Sequence, residues 1–348
     1  MMFKKSSALF LFTFLIFSAC NQNTAEDVHD EIVDKVNEES AGSLVIYSGR
    51  QESLVSELIN SFSAETGVVV EVRYAKSSSL AGTLSLEGAM SPADVFLSQD
   101  PLSLSIVANE DLFEILPQNI LKNIPAWAVD PNGYWVGISG RSRALVVDKR
   151  DVSDAELPEE IYGLNSENFR GRLGLAPTNS SFIAMVSCML SQDGEEKVFE
   201  WLTGINSLEY TEYPKNSPQV AAAAAGELDI GMINHYYTLR TIAEAGDIPI
   251  KNVFLKRGCG AMVMPSGVGI LSSSKNKVAA ISFVEYLHSK SAQEHFTNSV
   301  FEFPLVTGIT PNVLLPDTDS LNSPQDLDWS ALVSWQDKAV ELIAKAGF

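Results

Sequence analysis

The chain has 348 residues, 45% of them hydrophobic and 20% charged, enough apolar material for two compact lobes of ordinary size. Its 24 Lys and Arg against 44 Asp and Glu leave a net charge of −20, which repels polyanions and excludes nucleic acid and anionic lipid surfaces as partners. Any cleft that takes up an anion must therefore be locally basic.

Met1-Met2-Phe3-Lys4-Lys5 precedes an almost wholly apolar run from Ala8 to Phe17 and then Ser18-Ala19-Cys20. That order of positive, apolar and small residues is an export signal, too short for a resident membrane span. A cysteine directly after small residues is similar to the bacterial lipoprotein signal, which predicts cleavage after residue 19 and lipidation of Cys20; ordinary secretion with Cys20 incidental is the other reading. Either places the folded part outside the cytoplasm. Asn21 to Ser40 carries seven acidic residues against one lysine, a composition that cannot bury enough surface to offset its ordering entropy. It reads as a tether over residues 20–42, or as a short surface helix.

Ser43 to Gly49 is a short apolar run closed by glycine, the pattern of a buried strand. Glu52 to Glu65 has Leu54, Val55, Leu58, Ile59 and Phe62 at helical spacing and stops at Gly67. Val68 to Tyr74 is the next strand, so the fold opens as βαβ and is of the α/β class with a parallel sheet. A helix begins at Lys76, and Val95 to Ser98 is a strand whose carboxyl end, with the loop after Gly49, faces a cleft, since ligands sit at that edge of open α/β sheets.

Ser139-Gly140-Arg141-Ser142-Arg143 reads as a glycine loop feeding a strand from Ala144 to Val147. Its guanidinium forks suit an oxyanion, although a solvated loop fits equally. Leu173 to Ala176 is a strand leading into Thr178-Asn179-Ser180-Ser181, a serine-rich turn that opens a helix over Ile183 to Leu190. Free N–H groups there make an anion seat; plain capping by Asn179 or Ser180 is the alternative. Further helices are expected over Lys197 to Ile205, Val220 to Ala225, Lys275 to Leu287 and Ser330 to Ala346, with Gly260 to Leu271 a strand crossing back between lobes. His288 and His295 are expected at the surface.

Only Cys188 and Cys259 follow Cys20. Cys188 sits mid-helix among Met185, Val186 and Met189 like a small buried apolar residue, and Cys259 lies in a glycine-flanked loop. The expectation is that they do not pair.

Ile230 to Ile233 is a strand running into Asn234-His235-Tyr236-Tyr237, which sets two adjacent phenols at a strand's carboxyl edge. Phenolate oxygen is a hard anionic donor, and hard donors select highly charged cations that can hold the phenol deprotonated. Core packing with each hydroxyl on backbone is the other reading of the pair.

Taken together, Ser91-Pro92-Ala93-Asp94-Val95-Phe96, the Ser139–Arg143 segment, Tyr213-Pro214-Lys215-Asn216-Ser217 and Asn234-His235-Tyr236-Tyr237 resemble the bacterial ferric-iron-binding proteins of ABC importers, from about Leu44 to the C-terminus. The resemblance implies a two-lobed periplasmic-binding-protein fold, type II-like, with crossing hinge strands. One lobe would comprise residues 43–142 plus 267–315, the other 143–266 plus 316–348. It implies Fe(III) held by Tyr236 and Tyr237 as phenolates, with a synergistic anion (carbonate, phosphate or citrate) seated by Asn179, Ser180 and Ser181, assisted by Asn216 and Asn234 and neutralised by Arg141.

The chain departs from that pattern where many relatives carry a His and it has Arg50-Gln51, where others use a Glu and it has Gln99, and where some supply a Tyr and it has Phe182. Arg50, Gln51, Gln99 and Asp100 remain candidates for lining the cleft, Asp100 as a substitute carboxylate. The expected function is capture of ferric iron by a monomeric lipoprotein and its delivery to an ABC permease with its ATPase; binding of an iron chelate or of a bare oxyanion is the alternative. No G-x-S-x-G elbow, Walker loop, G-x-G-x-x-G or zinc-spaced His/Cys cluster supports an enzyme.

Overall fold

The computed structural model describes residues 42–317, 320, 324 and 327–348. The expected export segment, Cys20 and the expected tether up to residue 41 lie outside the described residues. The elements run β1 (Ser43–Ser48), α1 (Glu52–Thr66), β2 (Val69–Tyr74), α2 (Ser77–Glu87), β3 (Val95–Ser98), α3 (Pro101–Asn109), α4 (Gln118–Leu121), β4 (Trp135–Asp148), β5 (Leu173–Leu175), α5 (Ser180–Asp193) and α6 (Glu195–Ser207). They continue with β6 (Thr211–Glu212), α7 (Asn216–Ala225), β7 (Ile230–Asn234), α8 (His235–Ala245), β8 (Ile250–Val253), β9 (Val263–Ile270), α9 (Lys277–Leu287), α10 (Lys290–Asn298), β10 (Phe303–Pro304) and α11 (Trp329–Lys345).

The apolar faces behave as their spacing demands. Leu54, Val55, Leu58, Ile59 and Phe62 of α1 are buried, and Gly67 ends the helix in the left-handed region at φ 73°. β1 pairs in parallel with both β2 and β3. One apolar core lies beneath this part of the sheet, against α1 and α9, with Phe62 edge-on to Phe283. The larger core gathers α3, α5, α6 and α11.

The strands form one path, β2-β1-β3-β9-β4-β7-β5-β6, with β8 and β10 also on β4. The strand that joins its two ends is β4. Trp135 to Ser142 pairs antiparallel with β9, and Ser139 and Gly140 also meet β10; Arg143 to Val147 pairs with β7 and, from Leu145, β8. The strand thus exchanges its neighbours between Ser142 and Arg143. β9 crosses with it, reaching β3 through Gly267 to Ile270.

Three expectations are corrected. Ser139–Arg143 is not a loop: it is the middle of β4, all 14 residues of which are buried. Glycine and polar residues interrupt its apolar run, and a bulge lies between Gly137 and Ser139. Cys188 and Cys259 do pair, as a disulfide with Cα atoms 5.8 Å apart. The turn before β9 folds onto the buried face of α5, and a separation of 71 residues hides this in sequence. His288 is not freely exposed but half-buried, at the end of α9 with Nδ1 2.7 Å from Val284 O and Nε2 2.9 Å from Gly137 O. His295 is also largely shielded, 3.6 Å from the Glu57 carboxylate. Among the described residues no helix is long and apolar enough to cross a membrane.

Candidate metal and anion site

β7 is buried throughout and delivers Asn234 to the start of α8, so Tyr236 and Tyr237 occupy that helix's first turn. Their rings stack at 4.3 Å with a 32° tilt. Tyr236 is 0% exposed, and its Oη accepts a hydrogen bond from Gln99 Nε2 at 3.1 Å, at the carboxyl end of β3. Burial raises the Tyr237 phenol well above its ordinary range, the adjacent Tyr236 adds to this, and the Arg141 charge opposes it. The ligand-free site therefore holds a neutral Tyr237, and a strong cation at its oxygen would favour the phenolate.

Positions 141 and 143 alternate on β4 and point to one face. Arg141 is 0% exposed; Nη1 makes a long bond of 3.4 Å to Ser181 Oγ, while Nε and Nη2 have no partner. Arg143 donates from Nη1 to Asn234 Oδ1 at 2.9 Å and from Nη2 to Met232 O at 3.1 Å. Burial, and then the charge of Arg141, holds the Arg143 guanidinium down at about 9, while the two tyrosines pull it upward. Two buried guanidiniums with unpaired N–H groups and no carboxylate bonded to either form the arrangement an oxyanion would complete.

The serine turn has two functions. Asn179 Oδ1 accepts from Ser181 N at 3.0 Å and caps α5, as the plainer reading of this turn had it. Ser181 Oγ is buried and receives Arg141 and, at 3.2 Å, Asn234 Nδ2, whereas Ser180 is exposed. Asn216 opens α7, buried, with Oδ1 lacking a partner. Gln219 Oε1, one turn on and not foreseen from sequence, is also unpartnered.

The candidates for lining the other side of the cleft separate. Gln99 reaches Tyr236, with Oε1 buried and unpartnered. Asp100 caps α3 ahead of Pro101, its oxygens accepting from Ser103 N at 2.8 Å and Ser103 Oγ at 3.2 Å. Arg50 is turned away from solvent into a two-pronged pair with Glu302, at 3.1 and 2.9 Å. Gln51 is exposed. Gly49 closes β1 in a place where a Cβ would come within 2.8 Å of Ser77 Cα, and Ser77 Oγ accepts from Gln99 N at 2.9 Å.

His235 sits beside the tyrosines but has no nitrogen to spare. Nδ1 accepts from Ser142 N at 3.1 Å and Nε2 donates to Phe301 O at 2.7 Å, which requires the neutral tautomer protonated at Nε2. Burial agrees, lowering the imidazole to about 4. Among the described residues no cluster of three or more His, Cys, Asp or Glu could hold a metal, so a metal here would depend on phenol oxygens and a ligand of its own.

The model of a family described as bacterial extracellular solute-binding protein matches residues 91–334. The Fe(3+)-binding periplasmic protein of Serratia marcescens is 34% identical over 308 residues, covering 87% of this chain and 90% of that one. Among solved structures, iron-bound HitA from Pseudomonas aeruginosa superposes with a TM-score of 0.83 at 27% identity, over 88% of this chain and 99% of that one. The Trichodesmium protein IdiA (FutA), in complex with iron and citrate ligands, gives a TM-score of 0.75 at 26% identity over 88% and 99%. These neighbours share the two-lobed α/β architecture expected from sequence.

Proposed function

The chain belongs to the family of bacterial extracellular solute-binding proteins, and we propose that its solute is ferric iron, gripped by the phenolates of Tyr236 and Tyr237 together with an oxyanion. The observation that carries this is the stacked pair of buried Tyr236 and half-buried Tyr237, within reach of the charge of Arg141, whose Nε and Nη2 lack partners. Iron(III) is hard and takes about six donors, of which two phenolates supply two. Carbonate, phosphate or citrate on Arg141, Ser181, Asn216 and Asn234, with water, would supply the rest.

The division we propose sets residues 43–142 plus 267–315 against 143–266 plus 316–348, supported by the exchange of neighbours along β4 at Ser142/Arg143. The Gln99–Tyr236 bond links the two parts, as expected of a closed state favoured by contacts from both sides. The closed monomer would hand iron to an ABC permease and its ATPase, with the chain tethered outside the cytoplasm by a lipid on Cys20; mass spectrometry of the mature N-terminus tests the lipid. No bond of the cargo need be broken, so the reading is that of a carrier and not an enzyme.

Titration of metal-free protein with ferric ion, with and without each anion, tests the site through the visible phenolate-to-iron charge-transfer band. Tyr236→Phe and Tyr237→Phe are each expected to shift or abolish that band. Tight binding in strictly anion-free buffer would contradict the anion's part. The second reading, an iron chelate or a bare oxyanion, is favoured by the unpaired guanidinium N–H groups; an oxyanion that still binds the double Phe variant would establish it.

A further inference from the structure

Gln99 touches Tyr236 through its side chain, but what holds Gln99 is its backbone. Its N–H donates to Ser77 Oγ at 2.9 Å, and its carbonyl accepts from Ser266 Oγ at 3.3 Å. Ser266 is fully buried and is itself an acceptor for Arg50 Nη1. A hydroxyl that accepts from a guanidinium keeps its own proton for another acceptor, and here that acceptor is the Gln99 carbonyl. Arg50 is fixed in turn by Glu302, both residues buried, and Glu302 takes a further bond from Ser139 Oγ at 2.5 Å.

We propose that Arg50 and Ser266 are positioning residues for the metal site, acting through Gln99 to set the hydrogen bond that Tyr236 Oη receives. The inference rests on the iron reading above and adds a chain of contacts, Arg50 to Ser266 to Gln99 to Tyr236, that begins at residues making no contact of their own with the tyrosines. The Gln99 amide has nothing at Oε1 to orient it, so its aim comes from the phenol at one end and the clamped backbone at the other. In the iron complex the Gln99 N–H meets a phenolate, and the bond becomes charge-assisted. Drawing charge from that oxygen moves the iron charge-transfer band to shorter wavelength, and because the bond is stronger to the iron-bound phenolate than to the neutral phenol, it favours the loaded state and slows its loss of metal.

Two readouts test this on the full chain. In the iron complex, Gln99→Leu should move the band to longer wavelength and speed iron loss roughly tenfold, the effect of one hydrogen bond to a charged group. Ser266→Ala should move both in the same direction by less, Arg50→Lys should match Ser266→Ala, and Ser266→Thr, which restores the hydroxyl, should return both to wild type. The Gln99→Leu/Ser266→Ala double variant should go no further than Gln99→Leu, because the two lie on one path. In the metal-free protein, the 13Cζ resonance of labelled Tyr236 should follow the same order. A Ser266→Ala protein with wild-type band and wild-type Tyr236 resonance, or a double variant whose shifts add, overturns the proposal. Wild-type protein that stays colourless with iron and anion defeats the iron reading, and the metal-free resonance then decides the Arg50–Tyr236 path by itself.

Discussion

Arg143 Nη1 donates to Asn234 Oδ1 across 2.9 Å, and the same two residues face each other in the β4–β7 ladder. The strand that joins the two halves of the sheet is thereby tied by side chain as well as backbone to the residue that starts the tyrosine helix. Asn234 uses its other end on Ser181 at 3.2 Å, so one amide orients both the arginine and the serine of the candidate anion seat.

Asn234→Ala removes the acceptor of a buried cation and one donor to Ser181. The expected cost is about 2 kcal/mol of stability, in the range for a bond to a charged group, together with weaker iron binding in the presence of anion. Urea unfolding and iron titration measure the two; an unchanged unfolding midpoint would show that Arg143 finds another partner.

Arg141→Met is expected to act in opposite directions on stability and function. The wild-type residue buries a charge with two unpartnered nitrogens, and each unsatisfied buried donor costs about 1–3 kcal/mol. The ligand-free variant should therefore melt at or above the wild-type temperature, while the gain in iron affinity on adding phosphate or carbonate disappears. A variant that melts well below wild type would mean that the guanidinium is satisfied in the empty site.

Reducing the Cys188–Cys259 bond releases a loop of 71 residues, for which the loss of chain restriction is worth at most about 4 kcal/mol. Unfolding with and without reductant gives the difference, and titration of the unfolded, unreduced chain should find neither sulfur free. Because the bond ties α5 to the turn that feeds β9, the reduced protein should also bind anion less tightly.

The metal-free protein should lose stability in mild acid through His235. Its folded value of about 4 lies below the ordinary 6.5, so between these pH values the unfolded chain takes a proton that the folded chain refuses. The contribution is intact above pH 6.5, declines as pH falls toward 4 and is then exhausted, a change of about 3 kcal/mol. Comparing urea unfolding of wild type and His235→Gln from pH 7.5 to 4.5 isolates it from the carboxylates; parallel curves would refute it.

What could be read from sequence was the part governed by local period. The α1 stripe from Leu54 to Phe62, the Gly67 stop and the β7 run into Asn234 all follow from spacing along a few residues. The centre of β4 is not legible as strand because Gly140, Arg141 and Arg143 have the chemistry of a loop, although all three are buried between neighbouring strands. Asp100 carried a usable signal, since an aspartate before proline is a helix start. Nothing local could reveal the Arg50–Glu302 pair, whose members are 252 positions apart, or the disulfide. Such contacts are decided by how the sheet closes, after every local preference has been met.

Gly49 offers no hydrogen-bonding side chain, yet the smallest addition to it would press on Ser77, whose hydroxyl steadies Gln99. An alanine there would be a lever with its far end at the Tyr236 oxygen: it would have to push Ser77 aside, and the displacement would pass through Gln99 to the hydrogen bond that phenol receives.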